Sequence, residues 1–159
     1  MFGYSLGLSS RKTTKEVEGE LLRLLGIRDL SEASERWPAV WKITVKDGSA
    51  MRPPRQEMWL EFLGCPATTE IGYTFDAKTD WDAFEVAKDV MAISAAQLVE
   101  RVDAVAAALL FEVDDVLMRR AGGRLYLVNK DFSSWKNPAI LAKIPGPYEF
   151  RDDLEAGFP

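Results

Sequence analysis

One long helical repeat, set between runs that alternate with a period of two, constrains this chain more than any other feature. Phe84, Ala87, Met91, Ala95, Leu98 and Val102 recur at three-to-four spacing, which places them on a single stripe of an α-helix. The spacing predicts a helix from Thr79 or Asp80 to about Arg101. A stripe of that length needs a broad apolar surface to lie on, and the flanking segments supply one. Ile71, Tyr73 and Phe75 alternate with Gly72 and Thr74 before the helix, and Val105 to Val113 read as a strand after it. Alternation of this kind turns one face of a strand towards a core.

The same pattern occurs at the N-terminus. Phe2, Tyr4, Leu6 and Leu8 alternate with Gly3, Ser5 and Gly7. Thr13 followed by Glu16 fits a capping box, and the predicted helix carries Val17, Leu21, Leu24 and Leu25 on one stripe up to Gly26, placed for a left-handed C-terminal cap. Residues 27–39 read as a polar connection ending at Trp37-Pro38. Val40, Lys42, Thr44 and Lys46 alternate with Trp41, Ile43 and Val45 as a second strand, closed by the turn signal Asp47-Gly48. Ser49 to Arg55, with Pro53-Pro54, reads as an irregular loop; Gln56 to Leu63 fits a short helix or an irregular segment equally. Beyond the long helix, Asp114-Asp115 reads as a tight turn or bulge, Val116 to Arg120 as a strand, Gly122-Gly123 as a hairpin turn, and Leu125 to Val128 as the last strand.

The order strand, helix, strand, strand, helix, strand matches a split β-α-β, ferredoxin-like layout. It predicts an α+β fold with an antiparallel-rich sheet of five to six strands, two main helices on one face, and extra C-terminal hairpin strands. Residues 1–159 read as a single domain, with the Pro-containing tail 130–159 wrapping it.

Composition narrows the function. There are no histidines, which removes the commonest general base and zinc ligand and the Ser-His-Asp and Cys-His couples. No catalytic, cofactor-binding or metal-binding residue is assigned, and no cofactor is expected. Cys65 is alone and cannot form an internal disulfide. The net charge of −5 and pI of about 4.9 disfavour nucleic acid and permit a basic protein partner. The start of the chain lacks the basic and apolar regions of a signal peptide, and the longest apolar run, Ala104 to Phe111, is too short to span a bilayer. A cytoplasmic protein without membrane contact is the expectation.

The charged clusters each have an ordinary structural explanation. Glu112, Asp114 and Asp115 do not have the spacing of an EF-hand loop and read as solvated turn carboxylates. Asp76, Asp80, Asp82 and Glu85 suit the first turn of a helix. Arg119, Arg120 and Arg124 read as paired surface charges. Five tryptophans are many for this length. Because Trp59 and Trp135 lie in irregular segments beside charged neighbours, they are the expected exposed pair, and with Glu112, Asp114 and Asp115 they make up the candidate partner-binding set.

Several segments carry a family resemblance: Gly72-Tyr73-Thr74-Phe75-Asp76 before the long helix, Ala108-Leu109-Leu110-Phe111 after it, the stretch from Leu117 through Gly122-Gly123 to Leu127, Trp135 with Pro138, and Pro147-Tyr148-Glu149. Together with the Tyr4-Ser5-Leu6 strand and a helix ending in Leu24-Leu25-Gly26, the chain resembles the swarming-inhibition toxin immunity proteins of myxobacteria and their relatives. It departs from their pattern at Val113-Asp114-Asp115, where a glycine-containing turn is usual, and at Pro53-Pro54. The resemblance implies a small cytoplasmic protein that binds a cognate bacterial toxin domain and blocks it by occlusion, without turnover. It carries over no catalytic residue. Two other readings stay open: a small-ligand or regulatory binding domain using a ferredoxin-like sheet, as a monomer or a homodimer, and a carboxylate-based enzyme using residues such as Asp76 or Glu112.

Overall fold

The computed structural model describes residues 2–112 and 114–155. Its first strand, β1 (Phe2–Ser9), organises the rest. Tyr4, Leu6 and Leu8 point to one face, where α1 (Thr14–Leu25) and α4 (Trp81–Arg101) pack side by side. The capping box forms at the start of α1: the Glu16 amide donates to Thr13 Oγ1 at 3.1 Å and the Thr13 amide donates to Glu16 Oε1 at 3.0 Å. Gly26 ends the helix at φ 67°, a left-handed conformation that glycine adopts without a Cβ penalty. Between α1 and the next strand, the connection coils into short helical turns at Leu30–Glu32 and in α2 (Ala33–Arg36).

Strands β2 (Val40–Asp47), β3 (Thr69–Phe75), β4 (Ala106–Phe111), β5 (Asp115–Ala121), β6 (Arg124–Val128) and β7 (Tyr148–Arg151) complete one sheet, in the order β2-β3-β1-β4-β5-β6-β7. Strand β3 inserts between β1 and β2, and β1 between β3 and β4, as two interleaved β-α-β crossovers require. All neighbours are antiparallel except β6 and β7, which pair in parallel. The sheet therefore has seven strands rather than five to six. The additional strand comes from the tail, which was expected to wrap the surface. That tail instead drives Phe132, Trp135 and Ile140 into the core through the 3-10 turn Ser133–Lys136 and α5 (Pro138–Leu141), then returns as β7. Residues 156–159 of the tail, and Val113 of the expected strand, lie outside the described residues.

The second correction concerns the other face of the sheet. Pro53-Pro54 does not break the chain but starts a helix, α3 (Pro53–Leu63), because proline's fixed φ suits a first helical turn. This helix covers the face opposite α1 and α4, so the helices are not confined to one face. The small residues of β1 make room for it: Gly7 lies directly under the Trp59 ring, where a Cβ would collide with the indole, and Ser5 accepts from Arg55 Nη2 at 3.0 Å. On α4, Gln97 Nε2 donates to the Lys143 carbonyl at 3.0 Å and Asp89 accepts from Ser134 Oγ at 2.7 Å. The tail thus covers a second side of that helix and explains its wide buried surface. Gly122 and Gly123 have φ of 58° and 75°, the two positive values that their hairpin turn demands.

Candidate interaction surface

The tryptophans divide differently from expectation. Trp59 is 0% and Trp135 1% exposed. Trp59 Nε1 donates to Glu70 Oε1 at 3.1 Å, and the Arg55 guanidinium pairs with the same carboxylate. Trp135 Nε1 donates to the Leu117 carbonyl at 2.9 Å. Both indoles are core elements with their polar edges satisfied, as buried indoles require. The exposed pair is Trp81 at 70% and Trp41 at 55%. Trp81 begins α4, before the stripe that packs on the sheet. Trp41 occupies a bulge between Val40 and Lys42, which puts Val40 inside in its place. A bulge disturbs the simple alternation that the sequence suggests.

These two residues share one end of the molecule with the acidic candidates. Phe2 and Val40 are both register partners of Phe75, and Phe111 pairs with Asp115, so the starts of β1, β2 and β5 meet the ends of β3 and β4. The first turn of α4 stands on that end, with Phe84 edge-on to Phe2 and Phe75 at 5.1 and 5.4 Å and Trp81 5.4 Å from Phe84. The connections 26–39, 76–80, 129–132 and 152–155 lie there, with Glu112, Asp114 and the starts of α4 and β5. Their basic residues are Arg28, Arg36, Lys78 and Lys130, against fourteen acidic ones: Asp29, Glu32, Glu35, Asp76, Asp80, Asp82, Glu85, Glu112, Asp114, Asp115, Asp131, Asp152, Asp153 and Glu155. This end is more negative than the whole chain's −5, so the remainder is net positive.

Many of these carboxylates are already engaged. Asp80 Oδ1 caps α4 through the Ala83 amide at 3.1 Å, Asp76 accepts from the Lys78 amide at 2.9 Å, and Glu85 pairs with Lys88 Nζ at 2.9 Å. The ordinary helix-start reading of that cluster describes them. Glu112, Asp114 and Asp115 differ. Among the described residues their carboxylates take part in no hydrogen bond or ion pair, and Glu112 is held at a positive φ of 55°. With Phe111 and Glu155, the three line a hollow of about 570 Å³. Among the described residues no group of three or more such side chains is arranged to hold a metal ion.

The arginines correct another expectation. Arg119 and Arg120 are buried rather than paired at the surface. Arg119 Nε donates to the Leu154 carbonyl at 2.6 Å and its Nη1 to the Phe62 carbonyl, tying the tail and α3 to the sheet. Arg120 donates to the Ala104 carbonyl at 2.7 Å and pairs with Glu100 at 2.6 Å. Arg124 does remain outside, 3.7 Å from Glu149. No helix among the described residues is long and apolar enough to cross a membrane.

One end of the sheet thus carries exposed indoles and unpaired carboxylates, with Trp41 on the edge strand β2 and three strands between it and Asp115 on β5. Comparison with protein-family models, with curated proteins and with solved structures returns no significant match.

Proposed function

We propose that this chain is an immunity protein that binds a cognate bacterial toxin domain through its acidic end and neutralises it by occlusion. The observation that carries this reading is the coincidence, on one end of the sheet, of Trp41 and Trp81 with the unpaired carboxylates of Glu112, Asp114 and Asp115. Exposed indoles supply large contact area at low entropic cost. Concentrated negative charge steers a basic partner and raises its on-rate. The family resemblance of the sequence points the same way.

The small-ligand alternative draws on a hollow of about 430 Å³ between Gly48, Pro53, Gln56, Leu60 and Ala67. Of its polar side chains, Gln56 Nε2 donates to the Gly48 carbonyl at 3.0 Å and Ser49 Oγ to Asp47 Oδ1 at 2.6 Å, which leaves Glu57 alone without a partner among the described residues. Ligand sites usually present convergent free polar groups, so we rank this reading second.

The test is co-expression with the toxin domain encoded beside this chain's gene, followed by growth and by isolation of the complex at rising salt. Rescue with a salt-sensitive complex is expected. Absence of both rescue and complex, with the two proteins folded, overturns the proposal.

A further inference from the structure

The sheet has two edges, and they differ. Strand β2 closes one and β7 the other. On β2, the charged side chains between the Trp41 bulge and Asp47 are Lys42 and Lys46, both exposed. A bulge and lysines on an edge keep other strands away. Strand β7 has no bulge and no lysine, and its charges are one of each sign. Its Phe150 is 39% exposed and stands beside Tyr148 on one face, the rings 5.9 Å apart. Glu149 and Arg151 share the opposite face, 3.5 Å from each other. The ladder shows which backbone groups this edge offers. The Asn129 amide donates to the Arg151 carbonyl at 2.7 Å, so Arg151 turns towards β6. In a parallel ladder alternate residues bond to the same neighbour, so Glu149 faces β6 as well. The Tyr148 carbonyl, both peptide groups of Phe150 and the Asp152 amide therefore point outwards. No element among the described residues pairs with them. Beyond Asp152 the chain leaves this edge, since Leu154 is buried and its carbonyl accepts from Arg119 Nε, two strands inwards on β5.

We propose that two copies of this chain join through β7, antiparallel about a two-fold axis at Phe150, into one continuous sheet. In that register Phe150 lies opposite Phe150 of the second copy, and the two exchange both backbone hydrogen bonds. The Asp152 amide of each copy reaches the Tyr148 carbonyl of the other. On one face, Glu149 and Arg151 lie opposite Arg151 and Glu149 of the second copy. The charges of the strand are thus complementary to themselves, as a two-fold contact requires. On the other face, Tyr148 and Phe150 of both copies form an aromatic row that covers the exposed Phe150 ring. Opposite charges and aromatic pairs across strands both stabilise a ladder. A second copy on β2 would instead bring lysines towards lysines. In the β7 dimer the acidic ends of the two copies point in opposite directions, and the dimer forms with or without a toxin.

The experiment is sedimentation velocity of the full chain, without any partner, over a concentration series from about 1 μM to about 1 mM. A short strand pair is smaller than a standard interface, so a reversible dimer with a Kd on the order of 10–100 μM is expected. Phe150→Pro removes the outward N–H and the ring but no bond to β6, and should raise the Kd by roughly tenfold or more. E149R and R151E each set like charges against each other across the axis, and each alone should also weaken the dimer by roughly tenfold. An equimolar mixture of E149R and R151E should recover association, because each variant supplies the charge that the other lacks. A chain that stays monomeric across the series, a dimer that Phe150→Pro leaves intact, or a mixture that associates no better than its two components would each overturn the assignment. Where Phe150→Pro does not fold, the two charge variants and their mixture decide. Dimerisation that the mixture restores, with no toxin complex found, supports the β7 contact and overturns only the toxin reading.

Discussion

Two regions of this molecule combine tryptophan with carboxylate, and they do opposite things. Under α3, Trp59, Glu70 and Arg55 lock together over Gly7, with the indole N–H, the carboxylate and the guanidinium all matched. At the acidic end, Trp81 and Trp41 stand in solvent, and the same end carries Glu112, Asp114 and Asp115, which form no ion pair among the described residues. Residue type alone does not distinguish the regions. Satisfaction does. A matched polar cluster under a helix holds the fold, whereas unmatched charge beside exposed aromatic surface leaves binding capacity unused. The comparison has measurable consequences, because substitutions in the first region should act on stability and those in the second on association.

The largest effect should come from Trp59→Ala. It removes a fully buried indole and leaves a cavity between α3 and the sheet, which costs about 4 kcal/mol. Urea unfolding would read this as a lower midpoint at unchanged slope. A loss under 1 kcal/mol would mean that α3 rests only loosely on the second face, and the contrast between the two regions would collapse.

Glu70→Gln should come next, at about 2 kcal/mol. It leaves Arg55 without its carboxylate partner but keeps an oxygen for the Trp59 N–H. The figure lies below that of a fully buried pair because Arg55 retains access to water. A double-mutant cycle with Arg55→Met would isolate the coupling; a coupling near zero would show the pair to be incidental to the packing of Trp59.

How much of this was legible in the sequence depends on which interactions are local. The capping box of Thr13 and Glu16, the left-handed Gly26, the double-glycine hairpin and the stripe of the long helix all depend on spacing within a few residues, and all are observed. The parallel strand β7 was not legible, because Tyr148–Arg151 forms a strand only by pairing with Leu125–Val128 more than twenty positions earlier. The place of Trp59 was misread for a related reason. Its charged sequence neighbours suggest exposure, while the decisive partner is Gly7, remote in sequence. One clue was present: Gly3, Ser5 and Gly7 leave one face of β1 almost bare, and a bare strand face invites a large side chain from elsewhere. Of the candidate site, Glu112, Asp114 and Asp115 were legible as an acidic turn, but their placement on the same end of the sheet as Trp81 and Trp41 required the register of five strands.

Thr13→Ala tests the local part of that lesson at a smaller scale, about 1 kcal/mol. Its pH dependence has a definite sign. Hydrogen bonds from the Thr13 amide and side chain lower the Glu16 pKa. A carboxylate whose folded pKa is depressed contributes stability above its unfolded value and loses it as pH falls through the folded one. The variant should therefore show a shallower acid-side loss of stability than the parent. Equal slopes would place the acid sensitivity elsewhere, with Asp29 and Asp47, whose pKa values are also lowered by hydrogen bonds from neighbouring serines, as the next groups to test.

The smallest effect on stability should be that of Trp81→Ala, within about 0.5 kcal/mol, since the side chain is mostly in water and its ring packs on Phe84 at the edge of the core. That small number is what gives the variant its value. A large aromatic group held in solvent contributes little to folding, so its worth to the molecule lies in what it can cover. If Trp81→Ala leaves the unfolding midpoint in place and weakens the toxin complex tenfold or more, exposure and binding are linked at this end. If it destabilises the chain as Trp59→Ala does, Trp81 is a core residue in solution and the distinction between the two regions fails at its most exposed point.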